Sequence, residues 1–501
     1  VYQTQHSEPR SVVAILPELS ETFKRLQADP QAGSQHLLVV LETFLLPFLV
    51  RLDRVLDKRL VRTFLQCLVA IICCRNHPQA LWLSELGSYL SGYDGQQWSA
   101  PAGTKRVGKR RHSVKWTVAL IDQYLLEKAD EVVQTLHTSS RRILCLWDGS
   151  VLEKAESATL EGIGPVLSRK ARRRQRTKRG LVFNWPALRP VRVMGMQWTA
   201  AVIVGMQGLP HLAVTRWWTT KGVFATRQRE TEEDLLRMCV RKWGLLLVHV
   251  FDRGYASGPW LQTLARYRAR FVSRWVKHHL FRTRAGEEKK RWQMGQGKKY
   301  RAHKLIRDPQ TGEKTACDLW WTEVRHSHTL QPLLVVKARV KTSVMYLLTN
   351  EPVATEAQAW QTFLTYRRRW EIETSFRYAK CELARECPRL WSLEARLKLL
   401  GMVMLIYAFL LSLLDPGHCE LIDALLRFKC HRTGKRCREV LAPLYRLRWA
   451  LSRLWTDWRP HFPWFLPPTT DPLAVGALIS HLERLQQNWI PLGKSPVNLQ
   501  A

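Results

Sequence analysis

The sequence predicts an α/β core carrying a β-rich insertion, flanked by helical N- and C-terminal stretches, and three observations predict it. Two short apolar runs, Ile143–Trp147 (ILCLW) and Leu245–Phe251 (LLLVHVF), each break off at an aspartate followed by a turn, Asp148-Gly149-Ser150 and Asp252-Arg253-Gly254. An unbroken apolar run of that length reads as a strand buried on both faces. Between the two runs the pattern gives two further strands and a helix. After Asp252 a gap of 121 residues to Glu373 exceeds any single connection in a compact core, so something is inserted there.

Composition narrows the partners. The chain has 501 residues, enough for two to four domains, and its 46% hydrophobic content is ordinary for a globular protein. Its charge is not ordinary: 78 Lys+Arg against 42 Asp+Glu leave a formal +36. An excess of that size calls for a polyanion, with nucleic acid first and anionic membrane second. The 22 tryptophans add slightly to nucleic acid, since indole rings stack on bases. Eleven cysteines without a repeating framework, and no recognisable signal peptide, point to reduced thiols in a cytosolic protein. The chain opens at Val1, as expected if a start methionine is removed or left out. His418, Cys419, Cys430, His431 and Cys437 cluster without the spacing of common zinc sites and read as structural. The most apolar run, Leu399–Leu414, is shorter than the ~20 residues that span a bilayer, so a buried helix is expected and no membrane.

In chain order, residues 1–140 are expected to form a helical N-terminal DNA-binding domain. Apolar residues recur at three and four spacing in Ser34–Leu60, Leu60–Cys74 and Ser113–Leu136. Gly103–His112 (GTKRVGKRRH) reads as a basic connector suited to tracking phosphates, and Leu81–Tyr93 fits either a helix-turn-helix or a plain bundle. Residues 141–415 are the expected catalytic domain. Within it Val191–Val204 and His211–Thr219 are strands joined at Gly208-Leu209-Pro210, and Glu230–Trp243 is a helix. Strand, strand, strand, helix, strand is the order of a ribonuclease-H-like core. Carboxylates at the ends of neighbouring strands converge at one sheet edge, where a helix-borne glutamate completes a divalent-metal site. Ser168–Gly180 carries eight Arg or Lys in thirteen residues, and Arg172, Arg173, Arg174, Arg176, Lys178 and Arg179 read as contacts to the DNA backbone. Residues 276–345 alternate cationic, aromatic and β-branched residues and predict a strand-rich insertion. Residues 416–501 are expected to be a helical C-terminal region.

The glutamate helix is read over Tyr366–Lys380 (YRRRWEIETSFRYAK). On one continuous helix Tyr366, Arg369, Glu373 and Lys380 fall within roughly 60° of one another, while Glu371 points roughly 160° away from Glu373. Two readings of that stripe stand: a phosphate held beside a metal ion, or a solvated face with Glu373 paired to Arg369 or Arg377.

The pattern Tyr-x2-Arg-x3-Glu-x6-Lys, with Trp370 after the arginine, resembles the signature of the bacterial DDE transposases of the insertion sequence 4 type. LLTNEPVATEAQA before it, WDGSVLEK and FDRGYASGPWL resemble other stretches of the same family. The resemblance implies a cut-and-paste transposase in which Asp148, Asp252 and Glu373 hold two Mg²⁺ ions, with Mn²⁺ able to substitute. It implies that Tyr366, Arg369 and Lys380 grip phosphates and hold a hairpin intermediate, with Arg253 a further contact. Double-stranded DNA, both transposon ends and target, is the implied partner of a homodimer dimerised through its last hundred residues. Where the family carries an aromatic residue that receives a flipped base, this chain has Met345; Tyr346, Trp320 and Trp321 are the stand-ins. A metal-dependent DNA nuclease or recombinase with the same triad, and a non-catalytic DNA-binding derivative, are the alternatives.

Overall fold

Arg448, near the C-terminal end, is buried and donates from Nη2 to the Ile71 carbonyl at 2.8 Å, while Trp455 Nε1 reaches the Ser34 carbonyl at 3.2 Å. Contacts like these fold the two ends of the chain together. The computed structural model accordingly divides into two compact units, Val1–Tyr124 with Arg377–Ala501, and Leu125–Phe376. The boundaries fall inside helices rather than at 140 and 415, and the N- and C-terminal stretches share one unit rather than forming two. The structure describes residues 20–74, 80–92, 99–154, 157, 159–168, 174–177, 180–183, 191–276, 279–307, 313–327, 331–383, 388–430 and 443–462.

The first unit is helical. It holds α1 (Glu21–Ala28), α2 (Pro30–Asp53), α3 (Lys58–Cys73), α4 (Leu83–Ser91), α5 (Ala100–His112) and the start of α6 (Ala119–Thr138). Side-chain oxygens of Ser20, Asp29 and Asp57 accept from the backbone N–H groups left unpaired at the starts of α1, α2 and α3. The expected connector Gly103–His112 is instead within helix α5. Gly103 is there for close packing: a Cβ on it would collide with the Gly87 carbonyl oxygen of α4.

The second unit is built on a twelve-stranded mixed sheet. Its centre is β1 (Ile143–Glu153). Strands β2 (Gly164–Ser168), β3 (Arg174–Thr177), β4 (Gly180–Phe183), β5 (Val191–Gly205) and β6 (His211–Trp218) follow, with β3 and β4 forming a separate hairpin. β1 pairs antiparallel with β5, which pairs antiparallel with β6. Helix α7 (Gln228–Trp243) then returns the chain to β7 (Leu247–Phe251), parallel to β1, and α8 (Gly258–Arg266) leads to β8 (Arg270–Arg274), parallel to β7. The order β6-β5-β1-β7-β8 is that of a ribonuclease-H-like core. Leu235, Leu236 and Trp243 of α7 and Trp260, Leu261 and Leu264 of α8 share one buried apolar cluster with β1 and β7.

The insertion continues this sheet instead of standing apart from it. After β9 (Leu280–Arg282), β10 (Glu288–Lys290) and the short α9 (Arg291–Met294) come β11 (Ala302–Arg307), β12 (Lys314–His326), β13 (Pro332–Val340) and β14 (Ser343–Thr349). β14 pairs with β8, so the order runs β10-β9-β12-β13-β14-β8 into the core. Helix α10 (Glu356–Arg367) opens on a capping box between Thr355 and Gln358. A two-residue turn separates it from α11 (Trp370–Cys381), which runs into the first unit. That unit is completed by α12 (Leu393–Ser412), α13 (Cys419–Lys429) and α14 (Leu444–Asp457). By length and composition α2 and α12 reach what a membrane span needs, yet 67% and 83% of their apolar windows are buried within the protein.

Candidate active site

Asp148 does not end its strand. β1 runs on through it to Glu153, paired with β5, but the ladder between β1 and β7 stops at Leu146 and Val250. Asp148 and Asp252 therefore stand just past the last rung of the same parallel ladder. Trp147 Nε1 donates to His249 Nδ1 at 3.0 Å, a buried bond between the two strands directly behind them. After Asp252 the chain tightens into a 3₁₀ turn over Arg253–Tyr255, where Asp252 Oδ1 accepts from the Gly254 N–H at 2.8 Å.

Glu373 comes from the first turn of α11. The single helix expected over Tyr366–Lys380 is broken at Arg368 and Arg369. Neither proline nor glycine causes it. Through the joint the backbone takes i→i−3 bonds, Arg369 N–H to Tyr366 at 3.0 Å, Glu371 to Arg368 at 3.0 Å and Ile372 to Arg369 at 3.2 Å. Arg368 pins the turn, donating to the Gly208 carbonyl at 2.7 Å and to Glu371 Oε1 at 3.1 Å. Glu371 is thus engaged away from Glu373, and Arg369 is turned inward.

Arg369 is the centre of the site. Its Nη1 lies 3.4 Å from Asp148 Oδ2 and its Nη2 donates to Glu373 Oε1. The guanidinium also lies 5.9 Å from the centre of the Tyr366 ring, and Tyr366 is buried. The Asp148 carboxyl is pushed up to about 7, chiefly by burial, with Arg369 opposing and the charges of Asp252 and Glu373 adding to the rise. Burial pulls the Arg369 guanidinium down, but Tyr366, Asp148 and Glu373 outweigh this and raise it above its ordinary value. The three carboxylates are therefore electrostatic neighbours. Among the described residues, however, no three His, Cys, Asp or Glu side chains form a group that could hold a metal ion as they stand. Arg369 supplies the positive charge between Asp148 and Glu373 instead. The donor set itself fits a hard divalent cation: oxygen ligands whose mutual repulsion a cation relieves.

A second set of residues, not singled out in the sequence, braces the turn after Asp252. Arg229, in the first turn of α7, donates to the Gly254 carbonyl at 2.9 Å and to Glu232 Oε2 at 2.7 Å, and Gln228 donates to Glu232 Oε1 at 2.8 Å. Glu232 is fully buried. The Arg229 guanidinium lies 5.3 Å from the Tyr255 ring and 5.5 Å from the Trp260 ring. The sequence signal for this brace is slight, an Arg and a Glu three apart on a helix.

The remaining expected residues are spread out. Arg253 is exposed beside Asp252, and Lys380 is half-buried on the last turn of α11. Tyr346, Trp320 and Trp321, the expected stacking residues, are buried at 8%, 5% and 9% exposure, and the Arg291 guanidinium lies 3.9 Å from the centre of the Tyr346 ring. Trp320 and Tyr346 belong to the apolar cluster of the second unit, while Trp321, next to Trp320 on β12, takes the opposite face, with the Arg301 guanidinium 5.4 Å from its ring. Arg174 and Arg176 lie on β3, while Arg172, Arg173, Lys178 and Arg179 lie outside the described residues, as do His431 and Cys437.

No curated protein matches the chain. Among solved structures, a piggyBac transposase synaptic complex with hairpin DNA aligns at 13% identity and a TM-score of 0.29, over 70% of this chain and 58% of that one. The chain thus spans less than two thirds of that structure's length, and a likeness at that score carries no weight. Residues 224–409 match the family described as Transposase DDE domain, a stretch that includes Asp252, Arg369, Glu373 and Lys380 and leaves Asp148 outside it.

Proposed function

We propose that the protein is a cut-and-paste DNA transposase of the insertion sequence 4 type, with Asp148, Asp252 and Glu373 as its catalytic carboxylates. The observation that carries this is Arg369 bonded to Asp148 and Glu373 at once, with Asp252 just past the end of the strand paired beside that of Asp148. Two carboxylates just past a parallel ladder and a third joined to one of them through Arg369 make an oxygen donor set suited to a hard divalent cation. The match of residues 224–409 to a transposase DDE domain supports the same reading.

Asp148, Asp252 and Glu373 would hold two divalent ions, Mg²⁺ by preference and Mn²⁺ in its place. When bound, these supply Lewis-acid activation of the attacking hydroxyl and stabilisation of the leaving oxygen. The chain's own residues do the rest. The Trp147–His249 bond and the Arg229 brace hold the two aspartates at the edge of the sheet. Arg369, released from the carboxylates, turns with Tyr366 toward phosphates of the bound strand, and Lys380 and Arg253 add contacts along it. Hydrolysis at the transposon end would free a 3′-OH, its attack on the opposite strand would close a hairpin and release the flanking DNA, and a second hydrolysis would open the hairpin and free the 3′-OH again for transfer into target DNA, in a DNA-bound homodimer.

The test is cleavage of labelled DNA from the inverted repeats that would flank the gene. Asp148→Asn, Asp252→Asn and Glu373→Gln should each abolish Mg²⁺-dependent nicking and leave DNA binding intact, whereas Glu371→Gln, paired with Arg368, should cut like the wild type. Denaturing gels should show Arg369→Ala and Lys380→Ala accumulating nicked DNA and depleting hairpin. Cleavage that survives loss of a triad member would place the chemistry elsewhere. Binding without any cleavage by the wild type would make the chain a non-catalytic DNA-binding protein.

A further inference from the structure

Every residue from Thr220 to Glu230 is exposed, and at the tip of this stretch stand Val223 at 92% and Phe224 at 41% exposure. Two adjacent apolar side chains held in water carry a cost that a folded core would remove, so their place here calls for a partner. The loop that carries them is not slack. Thr226 N–H donates to the Thr219 carbonyl at 2.8 Å and Ala225 N–H to the Gly222 carbonyl at 3.0 Å, and Thr219 bridges to Ala225. Gly222, at a φ of +80°, makes the turn a side chain would strain. At its base the loop lies against β2, where a Cβ on Gly164 would come 2.9 Å from Thr219 Oγ1. Its far end runs into α7, where Arg229 is bonded to Gly254 in the turn after Asp252.

The loop also leaves the sheet at the carboxylate edge. β6 runs in the same sense as β1, since each is antiparallel to β5. Its last residue, Trp218, pairs with Gln197, which pairs with Val151, three residues beyond Asp148. The loop base is therefore roughly 10 Å along the strands and roughly 10 Å across them from Asp148. That is well within one turn, about 34 Å, of a duplex seated at the carboxylates. Lys221 and Arg227 flank the tip. Arg227 faces Glu230 at 3.6 Å in an exposed pair, which holds a cation weakly and yields to a phosphate.

We propose that the Thr219–Arg227 loop is a DNA wedge: Val223 and Phe224 enter a groove of the duplex bound at the carboxylate edge and unstack a single base step, while Lys221 and Arg227 take the neighbouring phosphates. The proposal rests on the reading of this chain as an enzyme that acts on DNA. Apolar side chains driven between base steps, with cations on the backbone beside them, are a known way of opening a duplex. The net charge of the chain favours DNA over a second protein as occupant.

The experiment uses the full chain with Val223→Ser and Phe224→Ser combined, a surface change that leaves the fold alone, and labelled duplexes from the flanking repeats. The variant should cut fully paired duplex at least about tenfold more slowly, since nothing then offsets the cost of unstacking the step. It should cut the same duplex carrying a two-base mismatch at the scissile step like the wild type. Its binding should keep the wild-type salt slope, whereas Lys221→Ala with Arg227→Ala should flatten it. Equal losses on paired and mismatched DNA, or no loss, would overturn the wedge while leaving the cleavage reading in place. So would loss of self-association without DNA, which would make the tip a protein interface. Were the wild type to cut neither substrate, the proposed function would fall. Permanganate reactivity of thymines in the bound duplex would then decide on the wedge alone, present with the wild type and absent with the variant if it holds, and the same with both if it does not.

Discussion

Behind the two aspartates lies a histidine that cannot titrate in the folded protein at ordinary pH. His249 has no exposed surface, accepts from Trp147 Nε1 through Nδ1, and is lowered by burial to about 3 from its usual 6.5. The sign follows from linkage: the unfolded chain takes up a proton as pH falls through about 6.5 and the folded chain refuses it. This contribution to stability is complete above the unfolded value and is lost as pH falls toward the folded one. A single such proton is worth about 1.4 kcal/mol per pH unit. His249→Asn retains an acceptor for the tryptophan and does not titrate. Urea unfolding at a series of pH values between 6 and 4 should show a slope shallower by that amount in the variant; identical slopes would mean that His249 is protonated in the fold. At this scale Asp148 and Asp252 stood out in the sequence because each follows a continuous apolar run, although β1 in fact continues through Asp148 and only its ladder with β7 stops short of it; Glu373 stood out through its helix stripe and the family signature. The Arg369–Glu373 pair was one of two readings of that stripe and is present, but the reach of Arg369 to Asp148 was not legible, since it joins residues far apart in the chain.

Among the elements, α4 and α5 show how glycine works inside a helix. On α5, Gly103 sits against the Gly87 carbonyl of α4, while a Cβ on Gly108 would meet nothing within 4 Å. Alanine gains about 1 kcal/mol over glycine in an open helix interior, and overpacking costs about 1–3 kcal/mol. Gly108→Ala should thus raise the melting temperature and Gly103→Ala lower it, one substitution on one helix with opposite signs. Two rises would show that the helices separate easily. A glycine-containing basic stretch looked like a connector because close approach between helices leaves no mark in local pattern. The break at Arg368–Arg369 was equally hidden, for it is set by Arg368 reaching the Gly208 carbonyl, more than 150 residues away in the chain.

For the whole molecule, the formal charge of +36 should govern how it meets DNA. Counterion release makes log affinity fall linearly with log salt, by about 0.9 per phosphate contacted. Neutralising the cations between Arg169 and Arg179 should reduce that slope, and a flat plot for the intact protein would remove DNA as its main partner. The ribonuclease-H-like order was legible because each of its elements has its own periodicity. The union of the chain's two ends was not, since it depends on long-range bonds such as Arg448 to Ile71 and Trp455 to Ser34.

The proposed chemistry requires Asp148, Asp252 and Glu373 to act as one cation site despite the arginine now bonded between two of them. Calorimetric titration of the full chain with Mn²⁺ tests this without reference to activity. Binding should be weakened at least about tenfold by Asp148→Asn, Asp252→Asn and Glu373→Gln alike, each removing the charge a hard cation needs, and left unchanged by Glu371→Gln. Equal affinity in the wild type and all three variants would contradict the central claim.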